Sequence, residues 1–288
     1  MILEKLKVIF IGGLTNGKIV LDYLQSNKYV KVPLIITYPI NHTGPRHTII
    51  SEIQQDSEVQ YNLNASEYLK VIEKIKPDYI FVAGWSALLS DSLIKIPKKG
   101  TIGFHPSKLP LDRGRSALAW QIEEGYKESA LTMFYYNETP DCGDIIGQER
   151  FMIEHNDYIG DILNKVDQAS YNLIRAYFPL LRKGLAPRKK QDLNEGNFRR
   201  LRSKRDSLID WDQNALVIYN KIRAISKPYP GATGKIDNVN YLIWKSEIIE
   251  DTREAKLLLP GSVITVNSEK LIVKCREHSL AIIDYEKR

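Results

Sequence analysis

Cysteine is nearly missing from this chain: of 288 residues only Cys142 and Cys275 carry thiols. Two thiols cannot make the disulfide framework of a secreted mini-domain. The five histidines are scattered, so no ligand spacing for zinc arises either. No apolar run approaches the ~20 residues a membrane span needs. The first residues, Met1-Ile-Leu-Glu-Lys5, lead straight into a strand-like run, without the basic, apolar and small-residue order of a secretory leader. Secreted, membrane-spanning and zinc-finger classes are thereby set aside, and the expected setting is a reducing cytoplasm. What is present suits a globular protein: 43% hydrophobic and 26% charged residues, at a length that suggests two domains.

The formal charge of +6 is unevenly placed. Between Arg182 and Arg205 ten Lys/Arg meet only Asp192 and Glu195, so this stretch carries +8 and the remainder −2. Basicity is therefore a local stripe. It reads as a solvated linker, the alternative being a strip for phosphates.

Strand and helix patterns alternate over the first half. Apolar runs at 7–11, 30–36, 78–82 and 101–104 read as buried strands. Helical spacing occupies the stretch after Thr15, which is expected to cap its helix, then 68–75, 91–96 and 117–124. Residues 129–136 and 144–153 read as strands around a Pro140–Gly143 turn, and 159–181 as a helix. Such alternation implies a mostly parallel sheet with ligands at the C-terminal strand ends. After the basic stripe come a helix at 212–225 and short alternating runs at 232–236, 241–244, 262–266, 270–275 and 279–285. Asp237-Asn238 suits a hairpin turn. The expected organisation is an α/β domain over 1–183, a basic linker over 184–207, and a helix with a small β-barrel over 208–288.

Gly12-Gly-Leu-Thr-Asn-Gly17 follows a strand and opens a helix, yet Leu14 stands where a dinucleotide fingerprint requires glycine. A side chain there blocks close approach of a pyrophosphate, which argues against hydride chemistry. The informative stretch runs from Gly103 to Arg115, followed by Thr139-Pro-Asp-Cys-Gly-Asp144. A histidine leaving the C-terminal end of a strand into a proline-rich loop is placed for acid–base work. Alone, His105 is more often a structural histidine and Asp141 a turn residue; their joint occurrence gives them weight.

His105-Pro-Ser-Lys-Leu-Pro-Leu-Asp-Arg-Gly114 resembles the H-x-S-x-L-P-x-x-R-G signature of the folate-dependent formyltransferases, and Pro140-Asp-Cys-Gly-Asp-Ile145 resembles their downstream loop. Ile209-Asp-Trp-Asp212, the stretch from Ile222 to Ala232 and Pro260-Gly-Ser-Val263 are similar to the C-terminal domain of methionyl-tRNA formyltransferases and related sugar enzymes. The resemblance spans nearly the whole chain. It implies a Rossmann-like catalytic domain followed by an OB-like barrel, N10-formyltetrahydrofolate as donor, and no metal. It further implies that His105 is the base, with Asp141 fixing the imidazole tautomer and favouring its charged form. Ala83, Gly84, Trp85 and Leu89, with Pro140, Asp141 and Asp144, fall where the family holds the folate. Gly12, Gly13, Ser107, Arg113, Gly114 and Arg115 fall on the acceptor side. One departure concerns Gly103, where the family carries an asparagine that steadies the oxyanion; a backbone N–H, a water or protonated His105 is then required to substitute.

The acceptor is read from finer features. Arg113-Gly-Arg-Ser-Ala-Leu-Ala-Trp120 is closer to R-G-R-A-P-L-N-W of enzymes acting on nucleotide-linked amino sugars than to R-G-A-A-P-I-Q-R of the tRNA enzymes. An arginine fork suits a diphosphate; Trp120 itself reads as packing. Segment 37–47 holds a single arginine, whereas a tRNA contact draws on many cations. The expectation is a sugar N-formyltransferase serving lipopolysaccharide or other surface glycan biosynthesis. A methionyl-tRNA formyltransferase is the alternative, and a non-catalytic folate- or nucleotide-binding relative the second. Sugar enzymes of this type are often dimers, so a homodimer is left open.

Overall fold

The structure is a computed structural model describing residues 5–42, 44, 46, 57–266 and 271–288. Thr43, Pro45 and His47 of segment 37–47, and Lys270 of the expected strand 270–275, lie outside the described residues.

In chain order the first half contains β1 (Leu6–Gly12), α1 (Thr15–Ser26), β2 (Val30–Thr37), β3 (Glu58–Tyr61), α2 (Leu69–Ile75), β4 (Tyr79–Ala83), α3 (Asp91–Ile94) and β5 (Gly100–His105). There follow β6 (Arg113–Gly114), α4 (Ala117–Glu123), β7 (Glu128–Tyr135), β8 (Ile145–Met152) and the long α5 (Ile159–Lys183). The remainder comprises β9 (Phe198–Arg199), α6 (Ala215–Ala224), β10 (Ala232–Ile236), β11 (Val239–Ile249), β12 (Val263–Val266), β13 (Leu271–Lys274) and β14 (Ser279–Lys287).

Two compact units share this chain. The first takes Met1–Gly114, Ala130–Phe151 and Asn164–Phe198; the second takes Arg115–Ser129, Met152–Leu163 and Arg199–Arg288. In the first, a seven-stranded sheet runs in the order β3-β2-β1-β4-β5-β7-β8. Neighbours from β3 to β5 are parallel, and β7 returns antiparallel to β5. The central strands read as unbroken apolar runs because both faces are covered. On one face Ile9, Ile11, Leu34, Ile36, Ile80 and Val82 pack with Ile72 and Leu93. On the other, Phe81 meets Phe178 of α5 at 6.3 Å between ring centroids, and Phe178 meets Tyr23 of α1 at 5.9 Å. This is the Rossmann-like α/β arrangement expected from the alternating patterns.

One local expectation is corrected. Leu14, not Thr15, is the N-cap of α1, and it makes no side-chain capping bond. The helix starts one residue early because Gly12 and Gly17 both lie against the end of β4: a Cβ on either would stand 1.9 or 2.3 Å from the Ala83 carbonyl oxygen. The glycines here serve helix–strand packing, which accounts for a glycine-rich turn without a dinucleotide fingerprint.

In the second unit five antiparallel strands follow the order β10-β11-β14-β13-β12, with α6 packed on β11 and β14 and α4 packed on α6. This is the half-barrel of the OB-like domain. Arg223 of α6 is buried, and its guanidinium is satisfied by the carbonyls of Glu154 and Asp157 and by Asn220 Oδ1 at 2.6–3.1 Å. Among the described residues no helix is long and apolar enough to cross a membrane.

The basic stripe is solvent-exposed over most of its length, but several of its residues are tied down. In the first unit, Lys189 exchanges backbone hydrogen bonds with Ile145 at 2.8 and 3.0 Å, and Arg188 lies 3.6 Å over the Tyr135 ring. In the second, Arg199 grips both carboxylate oxygens of Glu124 at 2.6 Å. Arg202 pairs with Glu123 at 2.5 Å and stacks on Trp120 at 4.3 Å. Arg200 holds the Asp206 carboxylate well below the usual range. Arg199 and Arg202 are thus paired with carboxylates far away in sequence, while most of the stripe's other cations stay exposed.

Candidate active site

The register of the parallel strands brings the motif residues to one edge. Gly12 pairs with Ala83 and Val82 with Gly103, so the loops after β1 and β4 and the end of β5 emerge side by side. Strand β5 stops at His105 because Pro106 follows, which has no N–H for the ladder. His105 faces Thr132 of β7 and is 6% exposed.

Its ring is held at both nitrogens. Nε2 lies 2.8 Å from the Asp112 carbonyl oxygen, and Nδ1 lies 3.5 Å from Asp141 Oδ2. A carbonyl only accepts, so Nε2 carries a proton, and in the neutral ring the lone pair is on Nδ1. The tautomer is therefore set by the Asp112 main chain and not by Asp141, which was expected to do so. Asp141 stands beside the nitrogen left to take up a proton. The same Oδ2 accepts the Gly114 N–H at 2.9 Å, joining the Arg-Gly loop to the Asp141 loop.

Both loops are pinned. Ser107 Oγ donates to the Leu111 carbonyl at 2.7 Å, Thr132 Oγ1 to the Ser107 carbonyl at 2.6 Å, and Gln148 to the Leu109 carbonyl at 2.9 Å. Ser107 is thus fully buried and spent on the loop's shape. Arg113 is also turned inward: it donates to Cys142 Sγ and the Leu193 carbonyl, each at 3.1 Å, and lies 4.7 Å from the Phe198 ring. It acts as a clasp between loops. Arg115, two residues on, is exposed. The Asp141 turn packs so closely that a Cβ at Gly143 would meet the Tyr135 carbonyl oxygen at 1.7 Å. Pro140 is exposed on the turn, and Asp144 lies 3.8 Å from Arg188.

Sequence reasoning missed the residues that fix these loops from the basic stripe. Gln191 donates to the carbonyls of Asp141 and Gly143 at 2.9 and 2.7 Å. Asn197 accepts the Asp112 N–H at 2.7 Å and donates to Asp112 Oδ1 at 3.0 Å. An amide in a polar stretch gives no local signal of this. Because Asp112 orients the imidazole, Asn197→Ala should lower turnover about tenfold or more through misplacement. It should also cost about 1–3 kcal/mol by leaving buried groups unpaired. Steady-state rates and a thermal melt on the same sample check both.

Past β4, Gly84 takes a φ of 60°. Trp85, Leu89 and Tyr136 pack against the core below. Trp85 lies 4.8 Å from Tyr38, and its buried indole N–H finds no partner among the described residues. Among the described residues the main chain of Ala87, Leu88 and Leu89 makes no backbone hydrogen bond. Apolar walls, an orphaned donor and an open peptide edge fit a flat heterocycle rich in hydrogen-bonding groups. Ala83 is buried, and the turn positions at Gly12 and Gly13 are taken up by the Ala83 carbonyl and by Thr37 and Tyr38. No group of three or more His, Cys, Asp or Glu able to hold a metal occurs among the described residues.

Gly103 departs from the family pattern for a visible reason. A Cβ there would lie 2.1 Å from Cε2 of Tyr136. The tyrosine ring, stacked on Phe134 at 5.2 Å, fills the space an asparagine would need.

Residues 5–177 match the formyl transferase family, and residues 202–288 match the formyl transferase C-terminal domain. The chain belongs to the formyl transferase family. It is 32% identical over 222 residues to the bifunctional polymyxin resistance protein ArnA of Wigglesworthia glossinidia brevipalpis, covering 77% of this chain and 33% of that one. A methionyl-tRNA formyltransferase of Mycoplasma capricolum is 28% identical, over 99% of this chain and 91% of its own. Among solved structures, an N-formyltransferase from Helicobacter canadensis with folinic acid and dTDP-3-aminofucose aligns with a TM-score of 0.72 at 17% identity. That alignment covers 96% of this chain and 99% of the other. HypX from Aquifex aeolicus with tetrahydrofolic acid gives 0.71 at 18%, over 98% of this chain and 44% of HypX. This family member thus spans a third of the polymyxin resistance protein and under half of HypX.

Proposed function

We propose that this formyl transferase moves a formyl group from N10-formyltetrahydrofolate to the free amine of a nucleotide-linked amino-deoxy sugar. The observation that carries the reading is the imidazole of His105, with Nε2 tied to a carbonyl and Nδ1 open beside Asp141. When the amine attacks, Nδ1 takes its proton and Asp141 stabilises the cation formed. Trp85, Leu89 and the main chain after β4 would hold the donor's pterin, and the donor, consumed in each turnover, supplies the formyl carbon. Residues 1–183 would carry this chemistry and 208–288 the C-terminal domain, joined through 184–207.

Three features support a sugar acceptor. The single arginine of segment 37–47, Arg46, is already bound by Asp167 and Asn164 of α5. The stripe's arginines at 199, 200 and 202 are paired with carboxylates. Arg115 is exposed next to the Arg-Gly turn, where its fork suits a diphosphate. The second reading, methionyl-tRNA as acceptor, is favoured by the end-to-end likeness to the Mycoplasma enzyme. The test is incubation with formyl donor and a panel of nucleotide-linked amino sugars, read as mass gain of one formyl group. Transfer to methionyl-tRNA instead, with binding that falls steeply with salt, would overturn the sugar assignment.

A further inference from the structure

Formyl transfer places a demand on the site that His105 and Asp141 do not meet. As the amine nitrogen bonds to the formyl carbon, the C=O π pair moves onto oxygen, and the nitrogen's proton passes to His105. The C=O then re-forms, the bond from carbon to the donor nitrogen breaks, and that nitrogen leaves with the proton from the imidazolium. Between these events the oxygen is anionic and needs a donor already in place. Protonated Nδ1 is committed to the Asp141 side, 3.5 Å away, so another group must supply the hydrogen bond.

Gly103 and His105 are two apart on β5, so both face the same side of the sheet, about 6.7 Å from each other. Gly103 pairs with Phe134, whose ring stacks on Tyr136 at an interplanar angle of 16°. The Tyr136 ring therefore lies over the bare backbone of Gly103, its Cε2 2.1 Å from where a Cβ would be. Cε2 adjoins the carbon bearing the hydroxyl. Among the described residues that hydroxyl has no hydrogen-bond partner. We propose that the Tyr136 hydroxyl donates to the formyl oxygen and is a catalytic residue of this site, Gly103 being the space that admits its ring. The proposal rests on the formyltransferase reading. Burial, with the Asp141 carboxylate adding to it, raises the phenol pKa, so the group keeps the proton it must donate.

The test begins with wild-type turnover and its loss in His105→Asn, which establish the reading by themselves; without them it is the reading that fails. Given an active wild type, Tyr136→Phe keeps the ring and removes the donor. It should lower kcat about 10²–10³-fold, with KM for both substrates and the melting temperature little changed. A Tyr136→Phe enzyme with wild-type kcat overturns the assignment. A second readout separates chemistry from packing. Difluorotyrosine at position 136 has a more acidic phenol, so the alkaline fall of kcat should move to lower pH. An alkaline limb that does not move would equally sink the donor role.

Discussion

Replacing His105 by asparagine is expected to lower turnover at least about 10²-fold with the melting temperature preserved, because only acid–base assistance is removed. The asparagine amide ends about where Nδ1 now stands, so a polar group still faces Asp141 in the buried site. Asp141→Asn should cost a similar factor for a different reason. Its side-chain oxygen can still accept the Gly114 N–H, now bonded at 2.9 Å, so the two loops stay joined while the charge beside Nδ1 disappears. Steady-state rates for both variants, with thermal melts as control, decide the matter. Rates within a few-fold of wild type in either variant would remove the imidazole–carboxylate pair from the mechanism.

Gly143→Ala should be the most damaging glycine-to-alanine change among the described residues. The added carbon would stand 1.7 Å from the Tyr135 carbonyl oxygen and 2.8 Å from its carbon, both main chain within the sheet. No rotamer relieves a clash with backbone, so the Asp141 turn must peel away from β7, where the Tyr135 N–H donates to the Asp144 carbonyl at 2.9 Å. The expected cost is about 3 kcal/mol or more, in the range of forced overpacking. Turnover should be lost as well, since the displaced turn carries Asp141. A denaturant melt and an activity assay read the two consequences separately; a variant as stable and active as wild type would mean the turn does not pack as described.

The parts legible in the sequence were those with local signals. Buried parallel strands announce themselves as apolar runs, and β1, β2, β4 and β5 lie where those runs do. Strand β3 gave no such sign: Glu58-Val-Gln-Tyr61 is a half-polar edge strand that exists only because β2 offers a partner. Strand β11 extends to Ile249, past the expected end at Trp244, because Lys245 and Glu247 alternate with residues facing the sheet. At the site, the motif located His105 and Asp141, since strand ends and turns have composition. Which main-chain atom sets the tautomer, which amides pin the loops, and which ring occupies the place above Gly103 are decided by residues 7 to 85 positions away. Periodicity carries no record of such meetings. The same reason hides the ion pairs of Arg199 and Arg202, whose partners Glu124 and Glu123 belong to another helix region altogether.

The clamps from Gln191 and Asn197 bear on how such enzymes can be recombined. The end of α5 at Lys183 looks like the natural seam for grafting a foreign C-terminal half onto this catalytic half. A splice there would discard the two amides that steady Asp141 and Asp112. A seam placed after Phe198, where the first compact unit ends, would carry them along. The modular boundary of this chain, in the sense that matters for swapping parts, is fifteen residues later than its helices suggest.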